Sequence, residues 1–309
     1  MNSQRCVAIL TGGDSGEREI ALASAGNVAK VLTDHYLVTT FDLPKQLDTF
    51  LSQRKEFDAV IPIFHGRGGE DGTVQGFLET LRIPYLFSGV TAHAIGIDKN
   101  LTKSVISSAG IKTSPWFVLT KDDKLQLPPY IPCVVKPIDG GSTQGVTIVL
   151  VPDDFEQAVN EALKHSTRVL VENFISGDEF TVAVIDEGTE TVAMPVIQIK
   201  SPGGFYDFAA KYGSQPAEKL CPAPISAALS NQLQDAAVKV HQAIGARHLT
   251  RTDFIVDHEG TIWFLEVNTI PGLSVLFPRA VSASNRNFTE VLSNWIEEIV
   301  NNHDYQINN

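Results

Sequence analysis

Cysteine is scarce. Cys6, Cys133 and Cys221 are the only three among 309 residues, too far apart and too odd in number for a disulfide framework or a cysteine metal site. They read as buried, reduced thiols. Long hydrophobic runs are missing too: no stretch approaches the roughly 18 apolar residues that a membrane-spanning helix needs. The apolar run near the N-terminus is too short for a signal sequence and passes straight into a glycine turn. This argues against a helical membrane anchor and for a cytoplasmic protein. Basic charge is in deficit, with 24 Lys and Arg against 36 Asp and Glu and a net charge of −12. A general nucleic-acid binder needs a basic face, so that class drops out, while one nucleotide held by a few lysines stays open. There is no internal repeat and no low-complexity segment. What is present is ordinary for a globular chain, 43% hydrophobic and 19% charged, with length for two or three domains.

The first 90 or so residues alternate strand and helix. Strands over 6–10, 37–41 and 58–64 are separated by a helix with Ala21, Ala25, Val28 and Leu32 at helical spacing and by a second over 46–53. That is the pattern of a parallel α/β sheet, which a helix over 74–81 and a strand over 85–88 complete. Two glycine-rich loops follow strands, Thr11-Gly-Gly-Asp-Ser-Gly-Glu-Arg-Glu19 and His65-Gly-Arg-Gly-Gly-Glu-Asp-Gly72. Neither matches the dinucleotide fingerprint or the P-loop. The first aims a helix N-terminus at a cleft, which suits an anion, although Glu17 and Glu19 also fit there as ordinary first-turn acids. The second stands where open α/β sheets bind ligands.

Further along, 91–109 reads as one helix, 116–120 as a strand, and 133–151 as strand, glycine loop, strand. Lys136 at a strand end, followed by Gly140, Gly141 and Gly145, makes either a long hairpin or a loop whose N–H groups fold over phosphates. A helix over 154–165, strands over 168–172, 180–185 and 191–200, and helices over 226–244 and 288–301 follow. The aromatic, Gly-rich segment 203–216 has the profile of an ordered functional loop. The expected domains are 1–92, 93–183 and 184–309.

Residues 251–272 carry the most specific chemistry. Asp253–Asp257 and Thr261–Val267 are rich in β-branched and aromatic residues and flank the turn His258-Glu-Gly260. A two-residue loop, or a four-residue loop about the same centre, sets Asp253 against Glu266 and Arg251 against Asn268. An odd loop would send the acids to opposite faces. One face then carries Arg251, Asp253, Glu266 and Asn268, with Ile255, Ile262 and Phe264 nearer the turn. The other carries Thr252, Phe254, Val256, Trp263, Leu265 and Val267 for burial. Facing carboxylates repel. A hard cation between them removes the repulsion, and two carboxylates with an amide oxygen are ligation that Mg²⁺ accepts.

Eight stretches, in chain order, resemble the D-alanine–D-alanine ligase family of the ATP-grasp superfamily. They are Gly-Gly-Asp-Ser-Gly-Glu-Arg-Glu from Gly12, His-Gly-Arg-Gly-Gly-Glu-Asp-Gly from His65, Asp98-Lys99, and Val-Lys-Pro at Lys136 with a Gly-Ser pair. Ser-Gly-Asp-Glu-Phe-Thr-Val from Ser176, Phe-Tyr-Asp-Phe-Ala-Ala-Lys-Tyr ending at Tyr212, Arg251-Thr-Asp, and Glu-Val-Asn-Thr-Ile-Pro-Gly ending at Gly272 complete the set. The resemblance implies an α/β, three-domain ATP-grasp fold: an N-terminal parallel α/β domain, a small central domain and a C-terminal sheet domain. It also implies the reaction. ATP phosphorylates the carboxylate of one D-alanine, and the amine of a second attacks the acyl phosphate, releasing dipeptide, ADP and phosphate for peptidoglycan precursor synthesis.

Carried over by motif, Asp253, Glu266 and Asn268 would hold two Mg²⁺ ions, with Mn²⁺ as a substitute. Lys99 and Lys136 would contact the phosphates of ATP, Lys211 would close over them, and Glu172, Phe174 and Glu179 would face adenosine. Glu17 would bind the amino group of the first D-alanine, with Ser142 and Tyr212 as its partners and His65 at the substrate pocket. Arg251 and the backbone N–H of Gly272 would stabilise the oxyanion. Two stretches differ from the family pattern. The segment after Gly272 is shorter, leaving Ser274 as the hydroxyl for the second carboxylate, and Asp139-Gly140 stands where relatives carry a basic then an acidic residue. The resemblance implies no nucleic-acid or membrane partner and allows a homodimer. A ligase for another amino-acid pair, or a nucleotide-binding homologue without catalysis, remains the alternative.

Overall fold

The computed structural model describes residues 4–139, 144–200 and 217–301. Its strands form three sheets. The first is parallel, with β1 (Cys6–Gly12) between β2 (Leu37–Leu43) and β3 (Ala59–Ile63). Helix α1 (Arg18–Leu32) packs on it through Ala21, Ala25, Val28 and Leu32, as the spacing predicts. Helices α2 (Leu47–Gln53) and α3 (Thr73–Thr80) follow β2 and β3. The strand expected over 85–88 is a single parallel bridge, Val60 to Tyr85. Phe87 has φ 74, a left-handed conformation that a strand does not continue through.

The helix expected over 91–109 is two, α4 (Val90–Ile97) and α5 (Lys99–Ser108). Asp98 breaks it with an extended backbone and caps α5, its carboxylate accepting from the N–H groups of Asn100 and Leu101 at 3.0 and 2.9 Å. The break puts Lys99 on the first turn of α5, with its N–H on the carbonyl of Ile138.

The second sheet is antiparallel, in the order β4 (Trp116–Thr120), β7 (Arg168–Asn173), β5 (Cys133–Pro137), β6 (Thr147–Val149). Helix α6 (Phe155–Ala162) covers its apolar face. The third sheet runs β11 (Glu218–Leu220), β10 (Ile197–Lys200), β8 (Gly177–Glu187), β12 (Leu249–Asp257), β13 (Ile262–Asn268), with β9 (Glu190–Ala193) also on β8. The single strand expected over 191–200 is therefore two, split where Pro195 removes a ladder donor. The expected division between residues 183 and 184 falls inside β8, all of which belongs to the third sheet.

One face of the third sheet, with Phe180, Val182, Val184, Phe254 and Phe264, is buried under α5 and α7 (Ala227–Ala243). The other face changes character along its length. Ala183, Ile185 and Leu249 join the core shared with the first sheet, α1 and the C-terminal helix α9 (Phe288–Asn301), whose Trp295 is buried there. Beyond them the same face becomes polar. A further helix, α8 (Leu276–Ala283), which the sequence reading did not expect, tolerates Pro278 in its first turn.

Of the cysteines only Cys133 is buried; Cys6 and Cys221 are partly exposed, and all three are free. No helix among the described residues is long and apolar enough to cross a membrane.

Candidate active site

The hairpin β12–β13 sets the geometry. Asp253 opposes Glu266 and Arg251 opposes Asn268, as expected, but by a different route. Nearer the turn the pairs are Phe254 with Phe264 and Val256 with Ile262, which corresponds to a loop of three residues, 258–260. The odd loop alone would part the acids. A β-bulge that leaves Leu265 unpaired restores the register before Glu266. The cost of the expected register is paid nearer the turn: Ile262 and Phe264 share the face of Phe254, not of the acids, and Phe254 and Phe264 meet edge to face at 6.4 Å. Ile255 and Trp263 continue the acid face instead.

Pairing carries that face across the sheet. Asp253 opposes Thr181, Arg251 opposes Ala183, and Ile255 opposes Glu179. Directly opposite residues share a face, so Glu179, Thr181, Asp253, Arg251, Glu266 and Asn268 all stand on one side. Asp253 is nearly buried and fully engaged: Arg251 forks onto it at 3.1 and 3.0 Å, the Thr181 hydroxyl donates to Oδ1, and the Asn268 amide lies 3.4 Å from Oδ2. Glu266 and Asn268 line the open cleft. Two facing carboxylates and an amide oxygen suit a hard cation, and in this structure the Arg251 fork supplies positive charge to Asp253. Among the described residues no group of three His, Cys, Asp or Glu side chains could hold a metal, so the set depends on Asn268 for its third oxygen.

The cleft, of about 250 Å³, brings together Glu17, His65, Lys99, Arg251, Glu266, Asn268, Gly272 and Ser274 from the first sheet's loops, the start of α5 and the end of the hairpin. Glu17 ends the loop before α1, and its carboxylate lies so close to Gly66 that a Cβ there would come within 3.1 Å of it. Gly66 also has φ 76, the left-handed conformation that favours glycine. His65 is buried, 3.4 Å from Ser24 Oγ and 3.9 Å from Glu70.

Sequence reading missed the residues that hold the Pro271-Gly272 segment in place. The Leu273 N–H donates to Ser24 Oγ at 3.2 Å, and the Asn27 amide donates to the Leu273 carbonyl at 2.7 Å. Glu70 accepts from the N–H groups of Ile270 (3.2 Å) and Gly66 (2.8 Å), tying two loops together. Thr269 and His93 Nδ1 are 2.7 Å apart. Burial lowers the His93 pKa to about 4, so the imidazole is neutral there. Glu70 and Thr269 had a visible signal, their places in the glycine loop and in the Glu-Val-Asn-Thr-Ile-Pro-Gly stretch; Ser24, Asn27 and His93 are helix positions that nothing in the sequence singles out.

A second cluster lies behind the cleft. Glu172 is buried between two lysines, with Lys136 Nζ at 2.5 Å from one oxygen and Lys103 Nζ at 2.7 Å from the other; Ser114 donates to the second at 2.8 Å. Burial pushes the Glu172 carboxyl up, but the two lysines outweigh it and hold the pKa at about 2. Burial pulls Lys103 below the usual lysine range against the pull of Glu172. Lys99 is likewise lowered by burial, opposed by Glu266 and Glu17. In this structure the Glu172 carboxylate is thus engaged by both lysines and Ser114. Phe174 follows β7, its N–H on the Pro132 carbonyl. Ser142, Lys211 and Tyr212 lie outside the described residues. The altered residue Asp139 pairs with Arg67 of the His65–Gly72 loop at 2.6 Å.

The family model described as D-ala D-ala ligase C-terminus matches residues 105–297, and the one described as D-ala D-ala ligase N-terminus matches 45–88. The chain is 42% identical over 294 residues to the D-alanine–D-alanine ligase of Syntrophotalea carbinolica, covering 94% of each. The crystal structure of D-alanyl-alanine synthetase A from Vibrio cholerae superposes with a TM-score of 0.85 at 27% identity, covering 98% of this chain and 100% of that one. The D-alanine–D-alanine ligase from Bacillus anthracis complexed with ATP does so at 0.83 and 27%, covering 97% and 99%. With its three-sheet fold matched over nearly its whole length and both family models in place, the protein belongs to the D-alanine–D-alanine ligase family.

Proposed function

We propose that this protein joins two D-alanines at the expense of ATP through an acyl phosphate. The observation that carries the reading is the convergence of Glu17, Lys99, Arg251, Glu266, Asn268 and Gly272 on one cleft. A carboxylate anion and a polyphosphate repel, so transfer between them is mostly positioning and cancellation of charge. Magnesium, bound with ATP by Glu266, Asn268 and Asp253, would supply much of that cancellation. The chain's own residues supply the rest. Lys99 offers a cation at the phosphate end, and Lys136 stands ready behind it, oriented by Glu172. Glu17 receives the ammonium of the first D-alanine. Arg251 and the Gly272 N–H face the carbonyl oxygen that gains charge as the second amine attacks, where preorganised donors are worth most.

We place the domains at the sheet boundaries: residues to about 92 around the first sheet, then the second sheet to Asn173, then the third from Gly177.

Release of ADP with a panel of D- and L-amino acids tests the function. Turnover with D-alanine alone, giving the dipeptide, is the expected result; silence with D-alanine beside turnover of another pair overturns it. Glu266→Gln keeps the shape and removes a ligand charge. It should abolish Mg²⁺-dependent turnover with the melting temperature unchanged, and full activity would remove Glu266 from the metal set.

A further inference from the structure

Lys219 stands at the middle of β11, on the edge of the third sheet. It opposes Ile199, which opposes Glu179. Lys219 therefore emerges on the face that carries Glu179, Asp253 and Arg251. It lines the same cleft as Gly272, Ser274 and Leu276. Among the described residues no carboxylate lies within ion-pair distance of it; the ion pairs of this region belong to other lysines and arginines. Burial holds its ammonium below the usual lysine range, and the charges that act on it, Arg251 and Arg279, are both cations that lower it further. A half-buried ammonium facing two guanidinium groups is stabilised by an anion entering the cleft.

The choice among anions follows from position. Lys99 sits among Lys136, Glu17 and Glu266, at the end of the cleft suited to phosphates. Lys219 lines the cleft with the segment 272–276 and is acted on by Arg279 of α8, the helix that follows that segment; the only hydroxyl of the segment, Ser274, is exposed and neutral. A neutral hydroxyl alone holds a carboxylate weakly beside a charge-assisted bond.

We propose that Lys219 binds the carboxylate of the second amino acid, the one whose amine attacks, and so helps to select an amino acid as acceptor. This rests on the ligase reading above. The geometry gives Lys219 the charge and Ser274 the orienting hydrogen bond.

The test is steady-state kinetics of Lys219→Met and Lys219→Arg, with D-alanine and with D-alaninamide as acceptor. Lys219→Met should raise the KM for the acceptor D-alanine about tenfold to a hundredfold, as expected for loss of a charged hydrogen bond, and leave the KM for ATP unchanged. With D-alaninamide, which has no carboxylate, Lys219→Met and the unaltered protein should perform alike. Lys219→Arg should recover most of the loss. A raised KM for ATP with an unchanged acceptor KM would assign the lysine to phosphate and overturn the proposal, as would unchanged constants throughout. If the unaltered protein forms no dipeptide from D-alanine, the ligase reading falls and this proposal with it; if it does, and Lys219→Met matches it, only this proposal falls.

Discussion

Glu172 shows what a single buried charge requires. A carboxylate with almost no exposed surface is tolerable only when paired, and here it has Lys103, Lys136 and Ser114. Lys103→Met removes one partner and leaves the acid under-compensated, so stability should fall by about 3 kcal/mol, read as a lower urea midpoint. Lys136, pulled to the remaining side of Glu172, should bind phosphate less well, and the KM for ATP should rise. Acid acts on the same cluster. With a folded pKa of about 2 against an ordinary 4.5, the pairing contributes stability that is complete above 4.5 and lost as pH falls from 4.5 toward 2. The urea midpoint of the unaltered protein should drop over that window, and the drop should flatten in Glu172→Gln with Lys103→Met; an equal drop in both would show that other carboxylates govern it. No sequence pattern announced Lys103, because a lysine one turn after Lys99 on an amphipathic helix looks like a solvated residue until the fold buries it.

Elements were legible where a period or a turn residue spoke and illegible where two local signals competed. The parallel first sheet and the apolar stripe of α1 follow from spacing alone, since nothing in those stretches contradicts it. The run 91–109 has helical composition throughout, yet Asp98 satisfies more backbone donors as a cap than as a mid-helix residue. The hairpin is more instructive. Its sequence marks a hairpin but neither the turn length nor where a bulge will sit, so the expected pairing of Asp253 with Glu266 holds only through the bulge, and the faces of Trp263 and Phe264 are the reverse of those expected. The three-residue turn and the bulge at Leu265 compensate each other. A cap of this kind can be tested directly. Asp98 also pairs with Arg168 at 2.5 Å, so Asp98→Ala loses both the cap and the pair. It should cost about 1–2 kcal/mol and raise the KM for ATP, because Lys99 stands on the first turn that the cap fixes. Asp98→Asn, which still caps, should keep most of the stability; equal losses in the two variants would assign the effect to Arg168.

At the scale of the whole molecule, the cleft is lined by the loops of the first sheet, the α4–α5 junction and the third sheet, with Lys136 of the second sheet acting on Lys99, and the ties between these parts are unequal. Behind the cleft the first and third sheets share a buried core with α9, which is a permanent junction. Among the described residues, the ion pair that ties the His65–Gly72 loop to the end of the second sheet is Arg67–Asp139, with Arg67 60% exposed. An exposed pair contributes under about 1 kcal/mol, too little to hold the fold but enough to shift how often the loops meet. The pair also meets the charge of Asp139, which would otherwise oppose an anion at the proposed phosphate site. Asp139→Asn should therefore leave the melting temperature nearly unchanged while raising the KM for ATP a few-fold. Salt supplies the control, because exposed pairs are screened as the Debye length shrinks to about 3 Å at 1 M. The ratio of KM for ATP between Asp139→Asn and the unaltered protein should be largest at low salt and approach one at 1 M, even though binding of ATP itself weakens in both. A ratio that does not change with salt would mean that Asp139 acts through the shape of its loop, not through its charge.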